Sequence, residues 1–490
     1  MANYKKKYTK KVTVRPPFVR QVRDWSPFQQ AIFQAVESGT GNFVVMARAG
    51  SGKTSTIVEA LNYIQAGKSW ILVAFNKKIC EELQARACPG GEISTLHSLG
   101  FRAVMRAFGR VRVDNYKTEN LLKAMMPSDS EEKKELISQL IKTVSLAKGS
   151  LAESEKQIDE IMDRHGVDAN GDRAGFIQTV LQLLQQSREL TGTVDFDDMI
   201  WMPNVFNLAM PKYDVVMVDE TQDLNPAQLE LVMRSRTETG RIIAVGDDRQ
   251  AIYGFRGADQ NAINRIITRT QAQVLPLSVT YRCARAIVAQ AQTIVPDIQA
   301  AENAETGSVQ DCSKEEMIRG ARAGDFILSR SNAPMIGIAM GFIRAGIPCN
   351  IQGRDIGKNL IGFMKRSKCK EVGEFVTYVE TWRDKECARL ADKRRDTQAT
   401  EDKAECLIAL CDGAVTLDSV KENISRLFED TDDKNRIILS SVHKSKGLER
   451  DRVWMLSNTF KPGKDIENDN LYYVACTRAR KNLYMVAGVK

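Results

Sequence analysis

A short apolar run that ends in a glycine turn constrains the fold of this chain more than any other feature. The run covers residues 42–47 (NFVVMA), the turn covers residues 49–52 (AGSG), and a helix-compatible stretch follows. A buried strand, a glycine turn and a helix in this order place backbone N–H groups and a helix N-terminus around one anion. The segment therefore predicts a phosphate-binding loop at the edge of a sheet.

Residues 47–54 read AxxxxGKT, one residue away from the GxxxxGK[ST] pattern of such loops. Gly50 and Gly52 let the backbone approach a phosphate, and Lys53 reaches the outer phosphates. The Thr54 hydroxyl suits a magnesium ion. Ala47 replaces the first glycine, which matters little if that residue leaves the strand with ordinary dihedral angles. A chance match is the alternative, and the flanking strand and helix argue against it.

Two adjacent acids, Asp219 and Glu220, follow the apolar run at residues 215–218. A phosphate loop needs such a partner, because a magnesium ion has to be held opposite Thr54 and a water has to be positioned for attack. We assign the metal to Asp219 and the water to Glu220. A solvated turn is the alternative, but a buried strand that delivers both acids to the carboxyl edge of a sheet favours catalysis.

Strand candidates and helices alternate along most of the chain. The strand candidates lie at residues 42–47, 70–75, 215–218, 241–245, 325–328, 437–440, 453–456 and 483–486. Buried strands interleaved with helices indicate parallel sheets covered on both faces, an α/β fold. Residues 101–190 and 356–436 are instead charged and helix-spaced, so we interpret them as helical insertions.

The length of 490 residues allows three or four domains. No apolar run approaches the roughly 18 residues of a membrane span, and the N-terminus lacks the apolar core of a signal peptide. We therefore expect a cytoplasmic protein without a membrane partner. The ten cysteines form no CxxC pair and only three histidines are present, which favours reduced, buried thiols over a structural zinc or iron–sulfur site.

The net charge of +8 has one local source. Residues 1–23 contain eight basic residues and no acidic one, so the rest of the chain is electrically balanced. We expect this short basic arm to be a solvated, mobile terminus, with binding to a phosphate backbone as the second interpretation.

Five further motifs carry a resemblance to a known family. In chain order they are DETQD at residues 219–223, VGDDRQAIYGFRGAD at 245–259, TYR at 280–282, VHKSKGLE at 442–449 and YVACTRAR at 473–480. Together with the phosphate loop, they resemble the ordered motifs of superfamily 1 helicases of the UvrD, Rep and PcrA type, in the compact form found in phages and bacteria. Several long motifs in one order, from about residue 26 to residue 486, are far more specific than a phosphate loop alone.

The resemblance implies two RecA-like, parallel-sheet P-loop NTPase domains, each with a helical insertion, and ATP in the cleft between them. The first, ATP-binding domain would comprise residues 24–100 and 191–275, with its insertion at 101–190. The second would comprise residues 276–355 and 437–490, with a small insertion at 356–436. Residues 1–23 would form the basic tail.

The same resemblance implies roles around the nucleotide. Gln29 is similar to the glutamine that reads adenine, Tyr281 to the aromatic that stacks on the base, and Glu449 to the ribose contact. The residues expected to sense the γ-phosphate are Gln250, Arg256, Arg282 and Arg478. The other expected nucleotide contacts are Ala49, Gly50, Ser51, Gly52, Lys53, Thr54, Ser55 and Gly447. The cofactors would be ATP and Mg²⁺, with Thr54 and Asp219 as metal ligands.

The implied catalytic residues are Lys53, Asp219, Glu220, Gln250, Arg282 and Arg478. Charge develops on the transferred phosphoryl group, and guanidinium groups from a second domain stabilise that charge only when the cleft is closed. Hydrolysis should therefore depend on domain closure.

For a DNA strand, the resemblance implies contacts from Phe75, Asn76, Lys77, Thr95, His97, Tyr253, Phe255, His443 and Lys444. Aromatic faces stack on unpaired bases regardless of sequence, while short polar groups and lysines hold phosphates. A place in the protein core is the alternative for Phe75 and Phe255. Phe255 also stands where the family often has tryptophan, which weakens stacking.

The implied function is an ATP-dependent DNA helicase that translocates 3′ to 5′ on single-stranded DNA and unwinds tailed duplex in replication, repair or recombination. The direction follows from VHKSKGLE, which is similar to the UvrD branch and unlike the Dda and RecD branch. Two alternatives stay open: a translocase that strips bound proteins without unwinding, and a DNA-binding regulatory module with weak ATPase activity. We expect a monomer in solution that meets replication or repair proteins.

Overall fold

The computed structural model describes residues 24–126, 131–167, 169, 171–254, 257–259, 261–392, 397–428 and 435–488. The predicted basic tail at residues 1–23 lies outside these residues. Within them, no helix combines the length and the apolar character that crossing a membrane requires.

The strands, in chain order, are β1 Phe43–Ala47, β2 Trp70–Ala74, β3 Glu92–Thr95, β4 Arg112–Val113, β5 Thr193–Val194, β6 Tyr213–Val218, β7 Arg236–Gly246, β8 Gln273–Leu277, β9 Val279–Thr280, β10 Gln299–Ala300, β11 Ser308–Cys312, β12 Phe326–Ser329, β13 Cys349–Ile351, β14 Ile437–Ser441, β15 Arg450–Leu456 and β16 Ala479–Val486. All eight predicted strand segments overlap one of these strands.

The helices are α1 Pro27–Glu37, α2 Lys53–Ala60, α3 Lys77–Arg86, α4 Leu96–Phe108, α5 Lys117–Met125, α6 Glu131–Ser150, α7 Glu155–Arg164, α8 Arg173–Glu189, α9 Phe196–Val205, α10 Pro226–Arg234, α11 Ala262–Thr270, α12 Arg285–Ala291, α13 Lys314–Gly320, α14 Ala333–Arg344, α15 Arg354–Ser367, α16 Val372–Asp392, α17 Gln398–Cys411, α18 Leu417–Leu427, α19 Val442–Ser445 and α20 Ile466–Cys476.

Two six-stranded sheets organise the protein. The first has the order β3-β2-β6-β7-β1-β8, and the second has the order β11-β16-β15-β12-β14-β13. Every strand pair in both sheets is parallel. The prediction of an α/β protein with two parallel sheets is therefore confirmed.

Both faces of each sheet are covered by helices, which explains the continuous apolar runs. In β6, Val216 and Val218 pack on the side of α4, α9, α10 and α11, whereas Val215 and Met217 pack on the side of α1, α2 and α3. This alternation buries successive side chains in different cores. In the second sheet one face is covered by α12 and α20, and the other by α13 to α18.

The first helical insertion has its own core, formed by α5 to α8 with parts of α4 and α9. The predicted boundary at residue 101 falls inside α4, and β5 and α9 pack into the insertion core although they follow residue 190. The two-residue strand β4 lies inside the predicted helical insertion, and it pairs with β5, which follows that insertion. At Gly100, α4 and α9 cross so closely that an added Cβ would lie 1.9 Å from the Met199 carbonyl oxygen.

Candidate active site

The glycine turn after β1 depends on two residues with left-handed backbone angles. Gly50 has a φ of 72° and Gly52 has a φ of 82°, which L side chains rarely adopt. A Cβ on Gly50 would also lie 2.5 Å from Arg282 Cβ, so the second domain leaves no room for a side chain there. The turn leads directly into α2, which begins at Lys53. The predicted strand, turn and helix are thus present.

Most of the predicted nucleotide residues meet at one cavity of about 570 Å³ between the two domains. The first domain contributes Gly50, Ser51, Gly52, Lys53, Thr54, Ser55, Glu220 and Gln250, and the second contributes Tyr281, Arg282, Gly447, Glu449 and Arg478. The wall is completed by Phe75, Asn76, Ile79, Asp223, Tyr253 and Lys446. The volume lies in the range of about 300–1,000 Å³ that is usual for small-molecule sites.

Lys53 and Glu220, which both line this cavity, form an ion pair with Lys53 Nζ 3.1 Å from Glu220 Oε1. Glu220 has a φ of 50° and a ψ of 44°, a left-handed conformation directly after β6 that is rare for a glutamate. Strained backbone of this kind clusters at functional sites. Burial alone would raise the pKa of Glu220, but Lys53 and Lys446 lower it to about 2. Glu220 is therefore ionised at neutral pH.

Asp219 lies beside this pair with its side chain almost fully buried. Its Oδ1 accepts a hydrogen bond from the Glu220 N–H at 2.9 Å. Burial raises the pKa of Asp219 to about 7, the charge of Glu220 adds to this effect, and Lys53 opposes it. The Thr54 hydroxyl and the Asp219 carboxylate are the type of oxygen ligand that Mg²⁺ prefers. The chemistry of this donor set, in a cleft rich in carboxylates, fits the predicted metal.

Two arginines of the second domain line the cavity. Arg282 pairs with the carboxylate of Glu449. Arg478 is 1% exposed, and its Nε and Nη1 donate to the carbonyls of Val474 at 3.0 Å and Leu448 at 3.2 Å. Burial and the charge of Arg282 lower the pKa of Arg478 to about 10. Two crowded cations at the wall of a cavity are suited to an anionic ligand.

Two predicted nucleotide residues are engaged by the protein itself and do not line the cavity. Gln29 is buried, its Oε1 accepts the Ser26 N–H at 3.0 Å, and its Nε2 donates to Thr56 Oγ1 at 2.9 Å. The N–H of Ala49 donates to the hydroxyl of Tyr473 at 2.9 Å. The structure therefore uses Gln29 in the cap of α1, and it uses the Ala49 amide to dock the second domain.

Of the remaining predicted nucleotide residues, Tyr281 lies at the rim of the cavity and Arg256 lies outside the described residues. Tyr281 is 53% exposed at the rim of the cavity, and its N–H donates to the Gly50 carbonyl at 2.9 Å. An exposed ring at this place fits a base stack. Arg256 lies outside the described residues, as does Phe255.

Several predicted DNA residues border the same cavity. Phe75 is 46% exposed, and the Asn76 side chain caps α3 by accepting the Ile79 N–H at 2.9 Å. The Tyr253 hydroxyl donates to the His443 carbonyl at 3.2 Å and so links the two domains.

The two predicted lysines do not line the cavity. Lys77 is the first residue of α3, and Lys444 lies in α19 next to His443.

Thr95 and His97 lie apart from the cavity, at the start of α4. Thr95 Oγ1 accepts the Ser98 N–H at 3.2 Å, and burial lowers the pKa of His97. The ring of Phe196 stands edge-on to His97 with centroids 6.0 Å apart, and Phe196 is 52% exposed. Phe196 was not among the residues predicted to contact DNA. The available signal was an aromatic residue placed directly after the helix-capping aspartate in TVDFDDM.

Lys446 also had no predicted role, although it belongs to VHKSKGLE. Its Nζ lies 2.7 Å from an Asp223 oxygen, donates to the Gln250 carbonyl at 3.0 Å, and lies 4.8 Å from the centroid of the Tyr253 ring. One side chain of the second domain therefore contacts three parts of the first.

Comparison with known proteins gives curated relatives over part of the chain. DNA helicase II of Salmonella typhimurium is 28% identical over 290 residues, which cover 54% of this chain and 39% of the relative. ATP-dependent DNA helicase Rep of Escherichia coli is 29% identical over 299 residues, or 55% of this chain and 43% of the relative. ATP-dependent DNA helicase PcrA of Bacillus subtilis is 28% identical over 299 residues, with shares of 55% and 39%. The chain thus spans about two fifths of the length of the curated relatives it matches.

Two family models match the regions that supply most of the cleft, although Tyr281 and Arg282 lie between the two matches. The UvrD/REP helicase N-terminal domain matches residues 28–271, and the UvrD-like helicase C-terminal domain matches residues 388–489. Together they include the phosphate loop, the acids after β6 and the arginine at the end of α20. The chain therefore belongs to the UvrD/Rep family of superfamily 1 helicases.

Proposed function

We propose that this protein is an ATP-dependent DNA helicase that translocates 3′ to 5′ along single-stranded DNA and opens tailed duplex in replication, repair or recombination. The observation that carries the proposal is the cavity that joins Lys53 and Glu220 of the first domain to Arg282 and Arg478 of the second. A site assembled from two domains is what a motor requires, because each nucleotide cycle then moves one domain against the other.

The chemistry follows from the ion pair that lines the cavity. When ATP binds, Lys53 leaves Glu220 for the outer phosphates. Losing this cation raises the pKa of Glu220, so its carboxylate becomes a better acceptor for a proton of the attacking water. Thr54 and Asp219 would hold Mg²⁺, which neutralises phosphate charge when bound. Arg282 and Arg478 stabilise the charge that develops on the transferred group.

The DNA strand is proposed to cross the exposed aromatic residues of the first domain and reach the second domain at His443. Phe75 and the pair formed by Phe196 and His97 offer ring faces to unpaired bases, and such stacking does not depend on sequence. The direction rests on the likeness of VHKSKGLE to the UvrD branch. The active unit is proposed to be a monomer.

Two measurements test the proposal. The first is the ATPase rate with and without single-stranded DNA, where strong stimulation is expected. The second is the unwinding of duplexes that carry a 3′ or a 5′ single-stranded tail, where only the 3′-tailed substrate should open.

Each other outcome has a distinct meaning. Opening of the 5′-tailed substrate alone would overturn the direction and leave the motor intact. DNA-stimulated hydrolysis with displacement of streptavidin but no unwinding would identify a translocase. Absence of DNA-stimulated hydrolysis would refute the proposed activity.

A further inference from the structure

Arg48, at the end of β1, binds three carboxylates at once. Its Nε lies 2.9 Å and 3.1 Å from the two oxygens of Asp297. Its Nη1 lies 3.0 Å from Asp247 Oδ1 and 2.6 Å from Asp248 Oδ1. Asp247 and Asp248 follow β7 in the first domain, whereas Asp297 belongs to the loop before β10 in the second. One guanidinium group therefore joins the two domains beside the phosphate loop.

The contact continues to the cavity through Asp247. Its Oδ2 accepts hydrogen bonds from Gln250 Nε2 at 2.7 Å and from the hydroxyl of Tyr473, a residue of the second domain, at 3.3 Å. Asp247 is fully buried, and Gln250 lines the cavity. The orientation of the Gln250 amide thus depends on Asp247. Asp247 is held in turn by the Arg48 guanidinium, which contacts the second domain, and by the Tyr473 hydroxyl, which belongs to that domain.

Phosphate binding does not explain an arginine at position 48. Position 48 is one of the x positions of AxxxxGKT, where the pattern accepts any residue. The Arg48 guanidinium binds carboxylates and does not line the cavity. A pair that served stability alone would gain little from Asp297, whose side chain is 50% exposed. The planar fork of an arginine is suited to holding several carboxylates in fixed relative positions, which a lysine ammonium is not.

We propose that Asp297 is a positioning residue that acts through Arg48 and Asp247 to orient Gln250, so that residues 247–254 respond to docking of the second domain. The inference rests on the proposed ATP hydrolysis and names a route of domain coupling within it. When the second domain moves away, Arg48 loses the partner of its Nε and Asp247 loses the Tyr473 hydroxyl. Gln250 is then released from the orientation that hydrolysis requires.

The first test uses the full chain with Asp297→Asn, which removes the charge and keeps the size of an exposed side chain. At saturating single-stranded DNA, kcat for ATP should fall about 3- to 10-fold while KM stays within about twofold. Asp297→Glu should restore kcat to within about twofold of the unchanged protein. The matched control is Glu302→Gln, an exposed acid of the same domain, which should leave both parameters unchanged.

A double-mutant cycle separates positioning from general damage. If Asp297 acts through Gln250, then Asp297→Asn should cause no further loss in a Gln250→Ala background, because the group that it positions is already gone. Independent, multiplicative losses would overturn the proposal. A normal kcat in Asp297→Asn would overturn it as well, and so would an equal loss in Glu302→Gln.

Hydrogen exchange without nucleotide gives a readout that does not depend on turnover. The amides of residues 247–254 should exchange faster in Asp297→Asn than in the unchanged protein or in Glu302→Gln. This difference in a protein without ATPase activity would refute the proposed function and keep the link between the domains. Identical exchange in an active protein would refute the link and keep the function.

Discussion

Two buried clusters of charged side chains, one in the first helical insertion and one in the cleft, differ in their balance. The insertion cluster consists of Lys117, Lys148, Asp195 and Asp198. Lys117 Nζ lies 2.7 Å from Asp198, and Lys148 Nζ lies 2.9 Å from Asp195 and 2.8 Å from Asp198. In these pairs two cations face two anions, and hardly any of their side-chain surface is exposed. The neighbouring Asp197 stands outside the pairs, and burial raises the pKa of its carboxyl.

The cleft cluster has more acids than bases. It consists of Lys53, Lys446, Asp219, Glu220 and Asp223. Burial raises the pKa of Asp219 to about 7 and that of Asp223 to about 6, because the two lysines do not compensate three buried carboxylates.

Asp195 of the insertion cluster and Asp219 of the cleft cluster have pKa values that are shifted in opposite directions. Burial tends to raise the pKa of Asp195 too, but Lys148 and hydrogen bonds from the Asp198 N–H and the Thr118 hydroxyl together lower it. Matched charges fasten helices together, since each ion has a partner and hydrogen bonds. An excess of carboxylates costs stability and persists where a ligand uses it. A cluster of matched ion pairs therefore stabilises the fold, whereas a cluster with an excess of carboxylates indicates a ligand site.

The largest expected effect comes from breaking the central pair of the cleft cluster. Lys53→Ala or Glu220→Gln should abolish ATP turnover while the protein stays folded, because each removes one element of phosphoryl transfer at a solvent-reached cavity. Turnover and the circular dichroism spectrum are the measurements. Lys68→Ala, in the exposed loop before β2, is the control and should be fully active. Near-normal turnover in either cleft variant would show that the site is misassigned.

The next effect concerns the arginine that faces the cleft from the second domain. Arg478→Lys keeps the charge but loses the planar fork, so turnover should fall by about 10³-fold while nucleotide binding stays within about tenfold. Steady-state kinetics and binding of a fluorescent nucleotide measure the two quantities. Arg480→Lys, two residues away and 46% exposed, is the matched control. Equal losses in binding and rate would exclude a role specific to the transition state.

Breaking the insertion cluster should reduce stability and leave ATP turnover nearly unchanged, the reverse of the effects expected in the cleft. Lys148→Met leaves Asp195 without its cation in a buried place, which should lower the free energy of unfolding by about 3–5 kcal/mol. Urea denaturation measures this loss, and ATP turnover per folded molecule should change little. Lys123→Met, which removes an exposed helix-surface pair in the same insertion, should barely change stability. A loss of unfolding free energy below about 1 kcal/mol for Lys148→Met would mean that a balance of buried charges does not by itself identify a stabilising cluster.

The smallest expected effect is on the pH dependence of stability. Because the folded-state pKa of Asp219 is raised to about 7, the folded protein binds this proton more tightly than the unfolded chain, and stability declines as pH rises from about 4 to 7. Asp219→Asn should remove that decline, so the variant is more stable by about 1–3 kcal/mol at pH 7.5 and equal at pH 4. Urea denaturation at the two values measures it. For Asp195 the sign is opposite, with stability lost as pH falls below the usual range of an aspartate. A variant that is less stable at pH 7.5 would contradict the account of the cleft.

The sequence predicted the parts of the site that local pattern encodes. A strand, a glycine turn and a helix specify where Lys53 lies, and an apolar run specifies where Asp219 and Glu220 emerge, so their meeting at one sheet edge could be derived. Short strands were harder to predict. β3 ends half-exposed and β13 has three residues, so neither produces an apolar run of useful length.

Contacts between distant residues without a local pattern could not be predicted. Lys117 and Asp198 are 81 positions apart and each is an ordinary charged residue of a helical segment. Arg48 stands at a position that the phosphate-loop pattern leaves open, so nothing in the sequence indicates that it binds Asp297. Gln29 combines both cases, because its cap contact with Ser26 follows the local S-x-x-Q pattern, whereas its contact with Thr56 depends on packing.

The close crossing of α4 and α9 at Gly100 bears on how the proposed motor would transmit mechanical force. With no side chain between Gly100 and the Met199 carbonyl, the two helices that carry the insertion are packed closely and have little freedom to move against each other. In such a motor, force applied to the insertion would pass to the first domain with little bending between these two helices. The movement of each cycle would then occur at the nucleotide cavity, where the two domains meet through polar contacts that can break and re-form.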